Sequence, residues 1–255
     1  MGAQCALVSQ GIMPASEPDR AQSSEVASAS RRRMCVPVSR SKSSARWLKE
    51  HFSDPYVKRA QAEGWRSRAV FKLEELLERS HLLKPGMTVV DLGAAPGGWS
   101  QMVRERLRAH GADSGRVIAL DILPMQGIAG VEVVEGDFRE AAVLERLEAL
   151  LNGAQVDLVL SDMAPNISGV ESVDQARAME LAELAADFAA AHLKPGGAFL
   201  TKLFQGRGFD DYLRNLRADY DRVSIRKPKA SRARSAEVYA LASGHRGLRP
   251  AGRTP

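Results

Sequence analysis

Four acidic residues lie at or just after short runs of β-favouring apolar residues. Asp91, Asp121 and Asp162 accompany runs rich in valine, leucine and isoleucine, and Asp137 follows a shorter run. Each of them alone could be an ordinary residue that ends a strand. The carboxyl ends of parallel strands, however, lie at one edge of a sheet, and ligands bind there. We therefore expect the four carboxylates to belong to one ligand site.

A turn of small residues separates Asp91 from the helical pattern that follows it. The turn and the residue after it contain Gly93, Ala94, Ala95, Pro96, Gly97, Gly98 and Trp99. Glycines without a Cβ atom let a ligand lie against the backbone, and the following helix presents unpaired N–H groups. A tight turn without a ligand is the simpler alternative.

The spacing of these glycines differs from G-x-G-x-x-G, the fingerprint of dinucleotide-binding turns. Three other residues separate Gly93 from Gly97, and Pro96 stiffens the bend. The turn suits a nucleoside whose 5′ end carries an amino acid and a sulfonium. The sequence therefore predicts S-adenosylmethionine as the cofactor, with NAD as the alternative.

The remaining parts of such a cofactor have candidate partners at the next strand ends. The carboxylate of Asp121 can accept both hydroxyls of an adenosine ribose. Asp137 can offer a carboxylate to an exocyclic amine, and Phe138 an aromatic face to the base.

Three charged residues outside these strand ends could do chemistry. Lys202 lies in the apolar run Phe199–Phe204, where an unpaired lysine is costly to bury. Its place near the end of that strand predicts a position beside Asp162. Lys72 and Glu237, taken singly, fit ordinary surface charges better than catalytic groups.

Hydrophobic periodicity predicts strands that alternate with helices. The predicted strands cover residues 88–92, 116–120, 131–134, 156–160, 198–203, 223–226 and 237–242. Helices are predicted from Ser43 to His51, after Asp54, from Arg68 to Leu77, after Gly98 and over residues 139–151, 173–193 and 210–217. Lys194–Gly197 is predicted to end the helix that precedes it. This alternation is typical of an α/β fold with a parallel, doubly wound sheet.

The 255 residues, 44% hydrophobic and 26% charged, fit one globular domain with tails. We expect a domain over residues 41–245, and disordered tails over residues 1–40 and 246–255. No apolar run is long enough to span a bilayer. Both cysteines, Cys5 and Cys35, fall in the first tail, and the five histidines lack ligand spacing. We expect no membrane association, no metal and a reducing cytoplasm.

The net charge of +5 is unevenly distributed along the chain. Residues 73–225 carry 15 Lys and Arg against 24 Asp and Glu, whereas residues 40–72 carry 9 against 3 and residues 226–255 carry 8 against 1. Two basic ends brought to one face would bind a polyanion; two solvated termini are the alternative. The candidate RNA contacts are Arg66, Arg68, Lys229, Arg232 and Arg234.

Six segments in this order resemble the FtsJ-type ribosomal RNA ribose methyltransferases. They are residues 43–54, 66–73, 91–100, 161–166, 202–206 and 232–239. The resemblance covers about residues 40–245 and implies a Rossmann-like methyltransferase fold. That fold has a mostly parallel seven-stranded sheet, an antiparallel C-terminal strand and helices on both faces.

The resemblance also implies functional residues. It implies a catalytic set of Lys72, Asp162, Lys202 and Glu237. The implied cofactor contacts are Gly97, Trp99, Asp121, Asp137 and Asp162. The implied reaction is methylation of the ribose 2′-hydroxyl of a uridine in large-subunit ribosomal RNA, on the assembled 50S subunit, by a cytoplasmic monomer.

Lys202 is the candidate group at the hydroxyl. It could accept the proton, which requires a lowered pKa, or it could orient the oxygen lone pair.

Other function classes fit the sequence less well. A cytosine-C5 methyltransferase needs a cysteine nucleophile, and both cysteines lie in the N-terminal tail. Residues 162–166 read Asp-Met-Ala-Pro-Asn, not the Asn/Asp-Pro-Pro-aromatic loop expected of an adenine-N6 enzyme. Two alternatives stay open: a transfer RNA ribose methyltransferase, and a non-catalytic RNA-binding module of the same fold.

Overall fold

The computed structural model describes residues 53–247, apart from residues 79, 81, 110, 112–114 and 233. The predicted helix from Ser43 to His51 and the predicted tail over residues 1–40 lie outside the described residues. The predicted C-terminal tail does so too, except for Arg246 and Gly247.

Seven strands form one sheet in the order β3-β2-β1-β4-β5-β7-β6. The strands are β1 Met87–Leu92, β2 Gly115–Asp121, β3 Val131–Glu135, β4 Val156–Ser161, β5 Leu193–Phe204, β6 Tyr220–Arg226 and β7 Glu237–His245. The first five pair in parallel, and β7 pairs antiparallel with both β5 and β6. This confirms the predicted sheet with its antiparallel C-terminal strand.

Six described helices connect these strands or precede them. They are α1 Pro55–Ala62, α2 Val70–Glu78, α3 Gly98–Arg108, α4 Ala141–Leu151, α5 Glu171–His192 and α6 Phe209–Asp219. Asp54 caps α1, because its carboxylate accepts the backbone N–H of Tyr56 and so satisfies one of the unpaired donors at the helix start. None of the helices in the described part of the chain is long and apolar enough to cross a membrane.

Both faces of the sheet are buried, as expected for parallel strands covered on two sides. Val89 and Val90 are neighbours in β1, yet they belong to separate hydrophobic clusters because successive side chains of a strand point to opposite faces. The cluster around Val90 contains residues of α4, α5 and α6. The cluster around Val89 contains residues of α2 and α3. The site therefore rests on a packed framework.

The register of the strands brings distant residues to the carboxyl edge. Leu92 of β1 pairs with Ser161 of β4, and the next residue, Asp162, donates its backbone N–H to the carbonyl of Leu92 at 3.0 Å. On the other side, Lys202 of β5 lies opposite Tyr239 of β7. The edge thus gathers residues from the middle and the end of the sequence.

The helix stop predicted at Lys194–Gly197 is confirmed, since α5 ends at His192. The strand that follows begins earlier than predicted, because β5 starts directly after α5 at Leu193 and includes these four residues. Its pairing with β4 is irregular between Val156 and Leu158. Lys194, Pro195 and Gly196 are exposed, whereas the continuous buried part of the strand begins at Gly197.

Candidate active site

The glycine turn (residues 93–98) joins the end of β1 to the start of α3. The backbone N–H groups of Gly93 and Ala94 both donate to the carbonyl of Leu120, at 2.8 and 3.1 Å, so the turn is fixed to the end of β2. Gly97 has φ 101°, a left-handed conformation, and it precedes the first residue of α3. Only glycine adopts this φ readily, and the conformation sets the direction in which α3 leaves the sheet.

Close contacts at the turn leave no room for larger side chains. A Cβ atom on Gly93 would lie 2.8 Å from the backbone nitrogen of Met163, and one on Gly97 would lie 2.8 Å from Cδ1 of Ile128. A cleft runs along the turn, lined by Ser67, Arg68, Ala69, Gly93, Ala94, Ala95, Pro96, Gly98, Trp99 and Asp162. The cleft thus contains the predicted cofactor residues Gly93, Pro96, Gly98 and Trp99.

The carboxylate of Asp121 connects the glycine turn to the residues that follow β2. One oxygen accepts the backbone N–H of Ala95 at 2.8 Å, and the other accepts that of Leu123 at 2.8 Å. A carboxylate has further lone pairs, so these bonds hold Asp121 in place without using its full capacity to accept ribose hydroxyls.

Asp137 and Phe138 follow β3 and have different environments. Arg139 forms an ion pair with Asp137 at 2.6 Å, and its hydrogen bonds lower the pKa of Asp137, which keeps that carboxylate charged. The ring of Phe138 is 8% exposed and meets Phe188 edge to face, 5.8 Å between centroids. Phe138 is thus a core residue in this structure, and its contact with a base stays a prediction.

Asp91 lies beneath the turn and is 1% exposed. Ser100 of α3 donates its hydroxyl to Oδ2 of Asp91 at 2.6 Å, whereas Oδ1 has no hydrogen-bond partner among the described residues. Burial raises the pKa of Asp91 to about 7, and the charges of Asp162 and Asp121 add to the effect. Asp91 therefore fixes α3 to the turn and is partly protonated at neutral pH.

Lys202 and Asp162 form the first half of a charge network. Nζ of Lys202 donates to the backbone carbonyl of Asp162 at 2.5 Å and lies 3.0 Å from Oδ1 of the same residue. The lysine side chain is 8% exposed. The pairing predicted from the strand ends is therefore present, and it compensates the cost of burying the ammonium.

Lys72 and Glu237 form the second half. Their charged groups lie 2.6 Å apart, and both side chains are largely buried. Lys72 reaches this position from α2, and Glu237 from the first residue of β7. The structure thus brings together two residues that looked like separate surface charges in the sequence.

Tyr239 joins the two halves, although it was not among the site residues predicted from the sequence. Its hydroxyl donates to Oδ1 of Asp162 at 2.8 Å and accepts a hydrogen bond from Nζ of Lys72 at 3.3 Å. Burial raises the pKa of Tyr239 well above its ordinary value, so the hydroxyl keeps its proton. The charge network is therefore continuous through Glu237, Lys72, Tyr239, Asp162 and Lys202.

A sequence signal for Tyr239 did exist. Residues two apart on a strand share a face, so Tyr239 lies on the same side of β7 as Glu237. The run Val238–Ala242, however, is buried throughout, and an aromatic residue in such an apolar run is ordinarily predicted to be a core residue.

Trp99 lies between the cleft and the charge network. Its ring packs on that of Tyr239, 5.8 Å between centroids, and its indole N–H donates to the carbonyl of Ala69 at 2.7 Å. The side chain is 3% exposed, so Trp99 fixes the distance between the glycine turn and the charge network.

The five predicted RNA contacts are placed differently. Arg68, Arg232 and Arg234 line a pocket of about 460 Å³ together with Lys72, Ser235 and Glu237. We call it the basic pocket. Lys229 is exposed and does not line it.

Arg68 and Arg66 also have contacts within the fold. One amino group of Arg68 pairs with Asp54 at 2.5 Å, and the other donates to the carbonyl of Ala230. The guanidinium of Arg66 lies away from the basic pocket, on the carbonyls of Pro96, Gln126 and Gly127.

Within the described residues, no three or more His, Cys, Asp or Glu side chains are placed to hold a metal ion. The acids of the site are instead bound by lysines, an arginine, hydroxyls and backbone N–H groups.

A model of the FtsJ-like methyltransferases matches residues 65–245. The chain belongs to this family. The match includes the glycine turn, the charge network and the basic pocket, and it confirms the resemblance seen in the sequence. Family members use S-adenosylmethionine, which confirms the predicted cofactor.

Similar proteins give the same result. The chain is 70% identical over 208 residues to a ribosomal RNA large subunit methyltransferase E of Xanthomonas oryzae pv. oryzae, covering 82% of this chain and 97% of the relative. It is 70% identical over 209 residues to the protein of that name from Stenotrophomonas maltophilia, covering 82% and 98%. A crystal structure described as a ribosomal RNA methyltransferase from Plasmodium falciparum superimposes with a TM-score of 0.64 at 26% identity, covering 72% of this chain and all of that one.

The residues of the cleft fit S-adenosylmethionine. Gly93, Ala94, Ala95 and Gly98 line the cleft with small or absent side chains, so a ligand can lie against the backbone there. The carboxylate of Asp121 stands at the end of the neighbouring strand with lone pairs available for ribose hydroxyls. The charge network begins at Asp162, which also lines the cleft.

Proposed function

We propose that this chain methylates the ribose 2′-hydroxyl of a uridine in large-subunit ribosomal RNA. The observation that carries the proposal is the charge network, which starts in the cofactor cleft at Asp162 and ends in the basic pocket at Lys72 and Glu237. The relatives named for ribosomal RNA large subunit methylation support the substrate class. We further propose that the chain acts in the cytoplasm as a monomer on the assembled 50S subunit.

S-adenosylmethionine, when bound, supplies an electrophilic methyl group whose leaving thioether is neutral and needs no acid. The protein must therefore align a weakly acidic hydroxyl and take away its proton. Alignment alone can lower a barrier by roughly 7–11 kcal/mol. Rigid placement of the hydroxyl is the main task of the site.

Lys202 holds the hydroxyl oxygen in this proposal. An ammonium has three N–H donors, and two oxygens of Asp162 engage Nζ of Lys202 at 2.5 and 3.0 Å. The third donor is available for the ribose oxygen, whose lone pair then faces the methyl group. Asp162 is the adjacent carboxylate that can receive the hydroxyl proton.

Lys72, Glu237 and Tyr239 keep Asp162 in position. Tyr239 donates to the same Oδ1 that faces Lys202, and its hydroxyl is itself held by Lys72. Glu237 neutralises Lys72 at 2.6 Å. Two cations and two anions thus balance, so the network can be buried without a net charge.

The basic pocket is the proposed path of the RNA backbone next to the target ribose. Its lining contains Arg68, Lys72, Arg232 and Arg234 against the single acid Glu237. Arginine and lysine contacts to phosphates supply most of the sequence-independent affinity for nucleic acid. Lys229, which is exposed on the connection between β6 and β7, extends this basic surface.

The test is a methylation assay with radiolabelled S-adenosylmethionine on three substrates. They are 50S subunits from cells that lack this enzyme, protein-free large-subunit RNA, and bulk transfer RNA. We expect label in the subunits, and mapping should place it on the ribose of a uridine. Label confined to transfer RNA would support the first alternative function. RNA binding without methyl transfer would support the non-catalytic module.

A further inference from the structure

Arg66 binds two separate loops at the cofactor cleft. Its Nη1 donates to the carbonyls of Pro96 at 3.4 Å and Gln126 at 2.5 Å, and its Nη2 donates to the carbonyl of Gly127 at 2.6 Å. Pro96 belongs to the glycine turn, whereas Gln126 and Gly127 belong to the segment that follows β2. One side chain thus connects elements about 30 residues apart in sequence.

The segment after β2, residues 122–130, forms neither helix nor strand, yet it packs against the glycine turn. A Cβ atom on Gly97 would lie 2.8 Å from Ile128, 3.2 Å from Cδ of Arg66 and 3.3 Å from the sulfur of Met125. These three side chains therefore form the wall that faces Gly97. The wall packs directly on Gly97, so it joins the turn to the 122–130 segment.

The base of Arg66 is itself fixed. Its backbone N–H donates to Oε1 of Gln101 at 3.1 Å, and the amide of Gln101 donates to the carbonyl of Gly64 at 3.1 Å. The arginine therefore extends from an anchor on α3, and α3 begins at the glycine turn. The carboxylate of Asp121 also connects the 122–130 segment to the turn, because it accepts the backbone N–H groups of both Leu123 and Ala95.

We propose that Arg66 is a positioning residue for the cofactor, which holds the 122–130 segment closed against the glycine turn. The inference rests on the proposed function in that S-adenosylmethionine occupies the cleft. Without the guanidinium, the segment keeps the hydrogen bonds of the Asp121 carboxylate at its start. It loses the hydrogen bonds of Arg66 to the carbonyls of Gln126 and Gly127. The turn then loses its close packing against the segment at Gly97, and the cofactor loses a fixed turn to bind to.

A direct contact with an RNA phosphate is the competing role for Arg66. A guanidinium offers five N–H donors in one plane, and Nη1 and Nη2 are directed to three carbonyls. A phosphate contact with those groups would cost the bonds that hold the segment. Arg66 is also absent from the lining of the basic pocket, which contains Arg68, Arg232 and Arg234.

Calorimetric titration with S-adenosylhomocysteine, in the absence of RNA, separates the two roles. We expect Arg66→Ala to weaken binding about tenfold, a loss equivalent to about 1.4 kcal/mol. Arg66→Lys, with one ammonium in place of a planar fork, should recover part of the affinity. The KM for 50S subunits should change less than about twofold, since phosphate contacts are made by other residues.

Arg214→Ala is the matched control. It removes the same charge from an exposed position on α6, where Arg214 pairs with Asp211, and it should leave both constants unchanged. An Arg66→Ala protein that binds S-adenosylhomocysteine as tightly as the wild type overturns the proposal. If that protein also has a raised KM for subunits, the phosphate role is correct instead.

Melting temperatures measured without ligand show whether the Arg66 variants fold. If Arg66→Ala does not fold, the affinity of Arg66→Lys for S-adenosylhomocysteine tests the proposal instead. The proposed function fails in a different way: wild-type protein that binds S-adenosylhomocysteine but methylates no RNA overturns the function and leaves the role of Arg66 intact.

Discussion

The glycine turn and the charge network lie side by side at the carboxyl edge of the sheet, and they are built in opposite ways. The turn is contiguous in sequence, nearly free of charge, and shaped by backbone conformation at Gly93 and Gly97. The network takes its members from α2, β5, β7 and the residue after β4. A local sequence can specify a groove, whereas a balanced set of buried charges depends on the whole fold.

The largest effect should come from removing the lysine of the network that holds the ribose oxygen in the proposed reaction, while leaving the turn intact. Lys202→Ala should reduce methyl transfer to 50S subunits by about 10²- to 10⁴-fold, because the hydroxyl is no longer held in line with the methyl group. Binding of S-adenosylhomocysteine should stay within about twofold of wild type, because affinity for the cofactor resides in the turn. Lys194→Ala, on the same strand but paired with Asp157, is the control. Wild-type turnover by Lys202→Ala would contradict the assignment.

The converse change should damage the turn and leave the network intact. Gly97→Ala places a methyl group against Ile128 and forces alanine to a φ of 101°, so S-adenosylhomocysteine affinity should fall about ten- to a hundredfold.

Gly86→Ala is the control that separates the effect of backbone strain from the effect of a steric clash. Gly86 also has a positive φ, but nothing lies within 4 Å of the added Cβ. Calorimetry should therefore show normal affinity with a lower melting temperature. Equal loss of affinity in both variants would mean that the close packing around Gly97 does not contribute to cofactor binding.

A smaller effect should come from Tyr239→Phe, which deletes the hydroxyl between Lys72 and Asp162. One hydrogen bond to a charged partner is lost, so kcat should fall about three- to tenfold while cofactor affinity holds. Tyr212→Phe is matched in chemistry and burial, since the Tyr212 hydroxyl donates to the carbonyl of Ala182; its kcat should not change. Single-turnover kinetics measure both variants, and identical rates for wild type and Tyr239→Phe would show that the two halves act independently.

The smallest effect on catalysis is expected at Asp91, which is buried beneath the turn and whose contribution is to stability. Because burial raises its pKa to about 7 in the folded protein, the folded state keeps a proton that the unfolded state loses above its usual pKa of about 4. This contribution to stability is present at low pH and is lost as pH rises towards 7, at most about 1.4 kcal/mol per pH unit.

Asp91→Asn removes that titration and can still accept the bond from Ser100. Urea unfolding at several pH values should show the wild type losing stability relative to the variant between about pH 4 and 7. A constant difference across that range would show that Asp91 is charged throughout.

The turn could be predicted in detail because its residues are neighbours. The sequence placed Gly93, Pro96, Gly97, Gly98 and Trp99 in one ligand-binding turn, and the cleft there contains four of them directly. Strand ends placed Asp121 and Asp162 at the same edge. Lys202 beside Asp162 followed from the cost of burying a lysine.

Long-range contacts were harder to foresee. The contact of Tyr239 with Asp162 depends on β7 inserting between β5 and β6, which no local pattern encodes. The packing of Phe138 on Phe188 is likewise a contact between distant elements. Arg66 could be recognised as basic from the sequence, but its carbonyl partners belong to loops whose approach only the fold determines.

The position of β7 has a consequence during protein synthesis. Residues 237–245 come after every other strand along the polypeptide, and they bring both Glu237 and Tyr239 to the site. A nascent chain released from the ribosome only as far as α6 already has the glycine turn, but it lacks two of the five members of the network. Such an intermediate cannot complete the network, so competence to modify RNA requires that β7 has been synthesised and has paired with β5.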